Sequence, residues 1–349
     1  MATQHLGAGQ TVAVIGAGPC GLAAAIALQK GGVTPVIYDR GVVVSSVASY
    51  PIYMSFFSTA EKISIGGLPF VTGGEKPTRR EALAYYRMVV QHYDLPVRQY
   101  EPVIDVRRVD GRFVVQSVPA SHAAAADAGE AASTDGLPAV EATYDAVVIA
   151  TGYFGTPNQL GVPGESLPHV AHIYREGHEA FRQDAIVVGG GNSAVDAALD
   201  LYRCGARVTV VHFGGTFDPN VKPWILPDMQ NRVADGSIAV RWKSRVTRIA
   251  PDAVWIETAD RTAVRLPARQ VYCMTGFTPN SMLLDRLGVS IAPDTGIPAH
   301  DPATMETDVP GVFIAGVLAS GYDANKIFIE NGRNHGDRIV QRLVTPANV

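Results

Sequence analysis

The chain has 349 residues, 47% of them hydrophobic and 18% charged, a length that points to about two domains. Its 29 Lys plus Arg against 33 Asp plus Glu leave a net charge of -4, which excludes the electrostatic footprint of a nucleic-acid binder and a polybasic membrane patch. Three cysteines exclude a disulfide-stapled secreted scaffold, and a cytoplasmic setting is expected.

In chain order, uncharged Thr11–Gln29 has the length of a signal-peptide core or a short span. MATQHLGAGQ before it carries no Lys or Arg, and GAGPCG inside it would leave backbone polar groups bare in lipid, so neither export nor membrane insertion is expected. Thr11–Ile15 reads as a buried parallel strand, Leu22–Lys30 as a helix closed by Gly31-Gly32, and Pro35–Tyr38 as a second strand ending at Asp39. That is one βαβ unit. Residues 79–93 repeat apolar groups at helical spacing, and 96–117 alternate as antiparallel strands do. Residues 119–143, small, polar and turn-prone, read as a mobile loop between two strands. Tyr144–Ala150 is another buried strand and runs into Thr151-Gly152.

A Pro/Gly-rich connection then leads to a second copy of the opening. Ala185–Val188 is a strand, GGGNSA a glycine turn, Val195–Cys204 a helix, Arg207–His212 a strand and Val271–Met274 another, followed by Thr275-Gly276. GVFIAGV reads as a strand and Asn325–Val344 as a final helix. The chain is expected to be α/β, with two dinucleotide-binding, Rossmann-like domains, the second inserted in the first. The expected boundaries are 1–154 with 277–349 for the outer domain and 155–276 for the inserted one.

Gly16-x-Gly18-x-x-Gly21 lies between a strand and a helix, with Asp39 18 residues after Gly21. The three glycines serve a tight turn, close approach of backbone to a pyrophosphate, and close packing of helix on strand. The amides at the helix start, Pro19 at its entry, would hold the phosphates, and Asp39 would accept from a ribose hydroxyl. Gly189-x-Gly191-Asn192-Ser193-Ala194 repeats the pattern, with Ser193 able to add a phosphate hydrogen bond. His212 stands where Asp39 would be; without a carboxylate to repel a 2′-phosphate, the choice tilts from NAD to NADP, with His212 and Lys222 as nearby cations. Two such sites imply one cofactor that stays and one that visits, most economically FAD in the first and NADPH in the second.

The first glycine turn, mid-chain Ala150-Thr151-Gly152, the inserted GGGNSA and the late FIAG strand resemble the two-dinucleotide-fold flavoprotein reductases, thioredoxin reductase in particular. That resemblance implies Gly16, Gly18, Pro19, Gly21, Asp39, Thr151, Gly152 and Gly316 around FAD, and Gly189, Gly191, Asn192, Ser193 and Ala194 around NADPH. The CxxC pair of a thioredoxin reductase is missing: HIYREGHEAFRQDAIVVGGG stands in its place. GAGPCG, SYPIYMSFFSTAEKISIGGLPF, KPWILP and YDANKIFIENGR resemble the bacillithiol disulfide reductase family. The family resemblance implies NADPH and FAD, a low-molecular-weight thiol disulfide as substrate, and Cys20 as the reactive thiol. Val317 departs from the acidic residue common in the superfamily, and Asp323 or Asn325 is expected to take over its contact with the ribityl chain.

Cys20 lies in the first helical turn, where amide donors favour thiolate and a bound pyrophosphate disfavours it, so its ionisation stays open. The plainer reading makes it a small packing residue replacing Ala or Gly. Lys326, at the expected start of the last helix, would stabilise a reduced flavin; otherwise it is a solvated surface lysine. Tyr50, Tyr53, Phe56 and Phe57 wall the flavin or fill the core, and Cys204 and Cys273 read as packing residues. The nine histidines show no HExxH spacing and no zinc set with the cysteines, so no metal is expected. Other readings stay open: a ferredoxin- or flavodoxin-NADP reductase, a flavin monooxygenase, and a redox sensor without turnover. A homo-oligomer is left open, with no nucleic acid and no membrane partner expected.

Overall fold

The protein, seen in a computed structural model, is described over residues 9–119 and 138–344. It divides into two compact units, one of 1–48, 54–156 and 278–349, the other of 49–53 and 157–277.

The discontinuous unit opens with β1 (Thr11–Ile15), α1 (Pro19–Lys30) and β2 (Thr34–Tyr38), followed by α2 (Ser45–Ala48), α3 (Ala60–Ile63) and α4 (Arg79–His92). Then come β3 (Val97–Arg98), β4 (Val103–Val109), β5 (Arg112–Ser117), β6 (Val140–Tyr144) and β7 (Ala146–Ile149). β1 is a run of small and β-branched residues with Val12–Val14 wholly buried, as a strand covered on both faces must be. It pairs in parallel with β2 and β7. Alanine carries α1: Ala23–Ala25 are buried, Pro19 opens the helix and Gly31 closes it. A capping box between Thr78 and Glu81 starts α4.

The inserted unit holds β8 (Val170–Ala171), β9 (Asp184–Val188), α5 (Asn192–Arg203), β10 (Arg207–Val211), α6 (Leu226–Ala234) and β11 (Ile238–Arg241). β12 (Arg245–Ala250), β13 (Ala253–Glu257), β14 (Ala263–Pro267) and β15 (Gln270–Cys273) complete it. Its parallel sheet has the order β11-β10-β9-β15-β8. One face packs α5 and α6 through Val187, Leu199, Leu201 and Met229. The other packs the β12-β13-β14 sheet through Ile186, Val188, Val254 and Ile256. The chain then returns to the first unit with α7 (Met282–Leu287), β16 (Val312–Ile314), α8 (Ile329–Gly332) and α9 (His335–Val344). β16 becomes the edge of a sheet ordered β16-β7-β1-β2-β3. α9 crosses α1 so closely that a Cβ on Gly336 would come 2.7 Å from the Ala24 Cα.

Three expectations change. Val97–Arg98 pairs in parallel with β2 rather than joining the antiparallel β4-β5-β6 sheet. The final helix is broken: 322–326 form turns, α8 ends at Gly332, and α9 begins at His335, so Lys326 precedes the helix. α1 and α5 start at Pro19 and Asn192, three residues before the expected Leu22 and Val195, because the glycine turns feed directly into helix. Of the segment read as a mobile loop, 120–137 lie outside the described residues; β5 and β6 on either side pair antiparallel. Among the described residues no helix is long and apolar enough to cross a membrane.

Candidate functional site

Strand β1 ends in a turn that only glycine can make. Gly16 has φ +115°, its amide donates to the Tyr38 carbonyl at 2.7 Å, and a Cβ on it would lie 2.2 Å from the Ala150 carbonyl oxygen. Gly21 is equally confined, since a Cβ there would come 2.0 Å from the Gly16 oxygen. Gly18 is different: a Cβ would meet nothing within 4 Å. It is the N-cap of α1, and no side chain caps the helix. The first-turn amides, with the positive end of the helix dipole, therefore face open space at the one glycine not needed for packing. Asp39 is largely buried at the end of β2, with Oδ2 accepting from the Ala17 amide and Oδ1 from Gly41, both at 2.8 Å. Burial pushes its carboxyl up and the two amides pull it back.

The inserted unit repeats this arrangement. Gly189 has φ +141°, donates to the Val211 carbonyl at 3.0 Å, and leaves 2.2 Å between a Cβ and the Met274 oxygen. Gly191 caps α5 with open space around it and no capping side chain. Ala194, buried, holds the third position. Asn192 clamps the following loop, donating to the Asn220 carbonyl and accepting from the Lys222 amide, while the Asp218 amide donates to the Gly190 carbonyl. Ser193 is exposed beside these amides. His212 is wedged between Gly190 and Gly214, where a Cβ on either would come within 2.6 Å of the ring. Burial pushes its pKa down, against the nearby Asp218 carboxylate, which works the other way. Among the described residues its buried Nδ1 has no hydrogen-bond partner. Lys243 and Arg245 are exposed beside the same turn: Lys243 packs by Gly215 and its amide donates to Gly214, and the Arg245 guanidinium lies 5.0 Å from the Phe213 ring centre.

Cys20 sits in the first turn of α1 and is half-buried. Its sulfur fills space left by two glycines, with a Cβ on Gly332 coming 2.8 Å and one on Gly316 3.2 Å from Sγ. Burial, with the Glu330 carboxylate adding to it, pushes the thiol up to about 12. In the protein alone, burial and the nearby Glu330 carboxylate both favour the thiol over the thiolate. Glu330 is held by the Ser58 hydroxyl.

Gly316, with φ +77°, donates its amide to His335 Nδ1 at 3.2 Å. His335 is pushed down to about 4, mainly by burial, with Arg338 and His300 adding to it. Sequence reasoning missed this residue because its partner is 19 positions away across a loop. Thr151 is exposed and Gly152 takes φ +74° just after Ala150, the residue that abuts Gly16. Asp323 accepts from the Asn325 amide at 3.1 Å and pairs with Lys326 at 3.6 Å, so these three residues bind one another on an exposed turn. Of the aromatic cluster, Phe56 is buried and Phe57 is exposed. Tyr50 and Tyr53 fall in the inserted unit, where the Tyr53 and Tyr174 hydroxyls both reach Asp200. Cys204 caps the end of α5 and Cys273 ends β15.

The chemistry of both turns fits a dinucleotide. Each offers uncapped helix amides, a glycine that a pyrophosphate can approach, and a polar residue closing the second strand. Comparison with known proteins agrees. The model of the family "Pyridine nucleotide-disulphide oxidoreductase" matches residues 13–126 and 135–316. A bacilliredoxin reductase of Bacillus subtilis (strain 168) is 40% identical over 336 residues, 96% of this chain and 98% of its own. The solved bacillithiol disulfide reductase from Bacillus cereus superposes with TM-score 0.89 at 41% identity, covering 96% of this chain and 98% of that one. Thioredoxin reductase from T. acidophilum gives TM-score 0.70 at 19% identity over 96% and 98% of the two chains, a likeness of fold alone. With both glycine turns inside the matched residues and a full-length reductase at this identity, the chain belongs to the pyridine nucleotide-disulphide oxidoreductases and is an oxidoreductase of the flavin and pyridine-nucleotide type.

Proposed function

We propose that the protein uses NADPH to reduce the disulfide of a low-molecular-weight thiol, with FAD in the discontinuous unit and NADPH in the inserted one. The observation that carries this reading is the pair of uncapped glycine-turn helices, each with its own parallel sheet. When bound, a flavin supplies the two-electron relay between nicotinamide and disulfide.

The chain's own residues divide the remaining work. The amides of α1 and α5 hold pyrophosphates, and Asp39 keeps acceptor capacity for a ribose hydroxyl. Lys243 and Arg245, both exposed near the end of β10, favour a 2′-phosphate and hence NADPH. Thr151, Gly152 and Gly316 border the flavin, and Asp323, Asn325 and Lys326 lie on the turn after Gly316. Cys20 is the thiol that attacks the substrate disulfide. Its proton must leave first, and Glu330 is the carboxylate placed to influence that step. One sulfur of the substrate then bonds to Sγ while the other departs as thiolate. A bound flavin would supply the two electrons that, with protons from solvent, cleave the Sγ–sulfur bond and return Cys20 and the second half as thiols. A reducing cytoplasm suits three free cysteines.

The acceptor has a second reading. The Bacillus subtilis relative is named for bacilliredoxin and the Bacillus cereus structure for bacillithiol disulfide, so a protein disulfide competes with the small one. Protein bleached with NADPH under anaerobic conditions and then offered small disulfides, a bacilliredoxin and a ferredoxin decides between them. Rapid reoxidation by the small disulfide alone is the expected result. Reoxidation only by bacilliredoxin selects the second reading, and reoxidation only by ferredoxin defeats both.

A further inference from the structure

We propose that Glu165, His172 and Cys273 bind a thiophilic divalent cation of the zinc type within the inserted unit. The strand register brings two of them together. β8 and β15 pair in parallel through Val170 with Val271 and Ala171 with Tyr272. The next pair in that register is His172 and Cys273, and neighbours in a parallel pair present their side chains on one face. Glu165 reaches the same place from the turn before β8. Its carboxylate is fixed by the Leu160 amide at 2.6 Å and the Gly161 amide at 2.7 Å.

One donor atom from each residue lies within 4.8 Å of the other two, and His172 Nε2 is 3.5 Å from Glu165 Oε1. Zinc bonds of about 2.0–2.3 Å in a tetrahedron put donors roughly 3.3–3.8 Å apart. The imidazole–carboxylate pair already has that spacing, and a small inward movement of the sulfur completes it. Cys273 is 1% exposed, whereas the His172 side chain keeps 17% exposure, so the site is enclosed but reachable. Among the described residues His172 Nδ1 is buried with no hydrogen-bond partner, and the ring meets the Glu165 carboxylate through Nε2. A sulfur, a nitrogen and an oxygen donor, with a fourth position for water, select zinc over hard cations. Thiolate and carboxylate together neutralise the dication, the thiol proton leaving to solvent on binding. The bound ion would tie the connection before β9 to β15, the strand that leads into Thr275-Gly276. Cys273 thereby gains a role that its place in an apolar strand hides.

The test uses the full chain with its flavin, dialysed free of metal and titrated with zinc. We expect about one equivalent bound per chain, and X-ray absorption showing one sulfur and the remaining donors nitrogen or oxygen. Cys273→Ser and His172→Gln should each weaken binding at least about 100-fold, while Cys204→Ser binds as the parent does. Absence of a stoichiometric equivalent, zinc without a sulfur ligand, or undiminished binding by Cys273→Ser overturns the proposal. The X-ray absorption result on the parent chain decides the matter even where a variant fails to fold.

Discussion

The two units share the order of four of their five parallel strands, the fifth coming last in one (β16) and first in the other (β8), and differ at the positions that would meet a ligand. Written from matching edges, the sheets are β16-β7-β1-β2-β3 and β8-β15-β9-β10-β11, and each has a three-stranded antiparallel sheet inserted before its second central strand. Gly16 and Gly189 occupy the same left-handed backbone region and leave the same 2.2 Å to a carbonyl oxygen. The third glycine is not shared. Where Gly21 leaves 2.0 Å to the Gly16 oxygen, the inserted unit holds the Ala194 methyl, so α1 lies closer to its turn than α5. Cys20 corresponds to exposed Ser193, and Asp39 to buried His212. What backbone geometry demands is kept in both copies, and what the ligand demands has diverged.

That contrast can be broken most sharply at the glycines with open space. Gly18→Val should weaken flavin retention by about 1000-fold or more while leaving NADPH binding to the inserted unit intact, and Gly191→Val should do the reverse. Flavin content by absorbance and NADPH binding by calorimetry read the two effects separately. If either substitution removes both ligands, the two sites are not independent.

A second contrast lies in buried histidines. Because His335 is pushed from 6.5 to about 4 in the folded protein, the unfolded chain binds its proton more readily. Stability therefore rises with pH through that window and falls as the pH drops below 6.5, by about 3 kcal/mol in all. Urea unfolding of the parent and of His335→Gln at neutral and acid pH checks this; the variant should show a shallower acid loss. An unchanged slope would remove His335 from the account.

Smaller effects follow at the reacting thiol and at the nucleotide's charge. Cys20→Ala should lower disulfide turnover by about 100-fold while sparing NADPH oxidation by oxygen. Alkylation of the parent at neutral pH should be slow and climb with each pH unit, as a thiol pushed up to about 12 requires. Lys243→Ala with Arg245→Ala should raise the KM for NADPH about tenfold and leave that for NADH unchanged. A KM that rises equally for both cofactors would mean that the cations do not read the 2′-phosphate.

The sequence made the repeated βαβ units legible because glycine turns and apolar strands are local signals. β1 falls at its expected limits, Thr11–Ile15. Val97–Arg98 was not legible as a parallel edge, since two residues cannot announce their pairing partner and their alternation runs on into β4. The break between α8 and α9 was signalled by Asn331-Gly332 and Asn334, weak helix formers that the apolar spacing on either side overshadows; Gly332 is held against Gly316 and the Cys20 sulfur. At the site, Gly18 and Gly191 could be read from spacing. The direction in which His212 and Cys20 shift could not, because it depends on how deeply the fold buries them. Lys243 and Arg245 stand more than thirty positions after His212 and reach its turn only through the pairing of β10 with β11.

The most direct measurement is anaerobic stopped-flow on the flavin of the parent chain and of Gly191→Val. The visible band of the parent should bleach on mixing with NADPH and return on adding the disulfide, whereas Gly191→Val should stay coloured with NADPH and bleach only with dithionite. A chain that remains colourless after reconstitution with FAD, or a variant that NADPH bleaches as fast as the parent, would contradict two separate nucleotide sites serving one electron path.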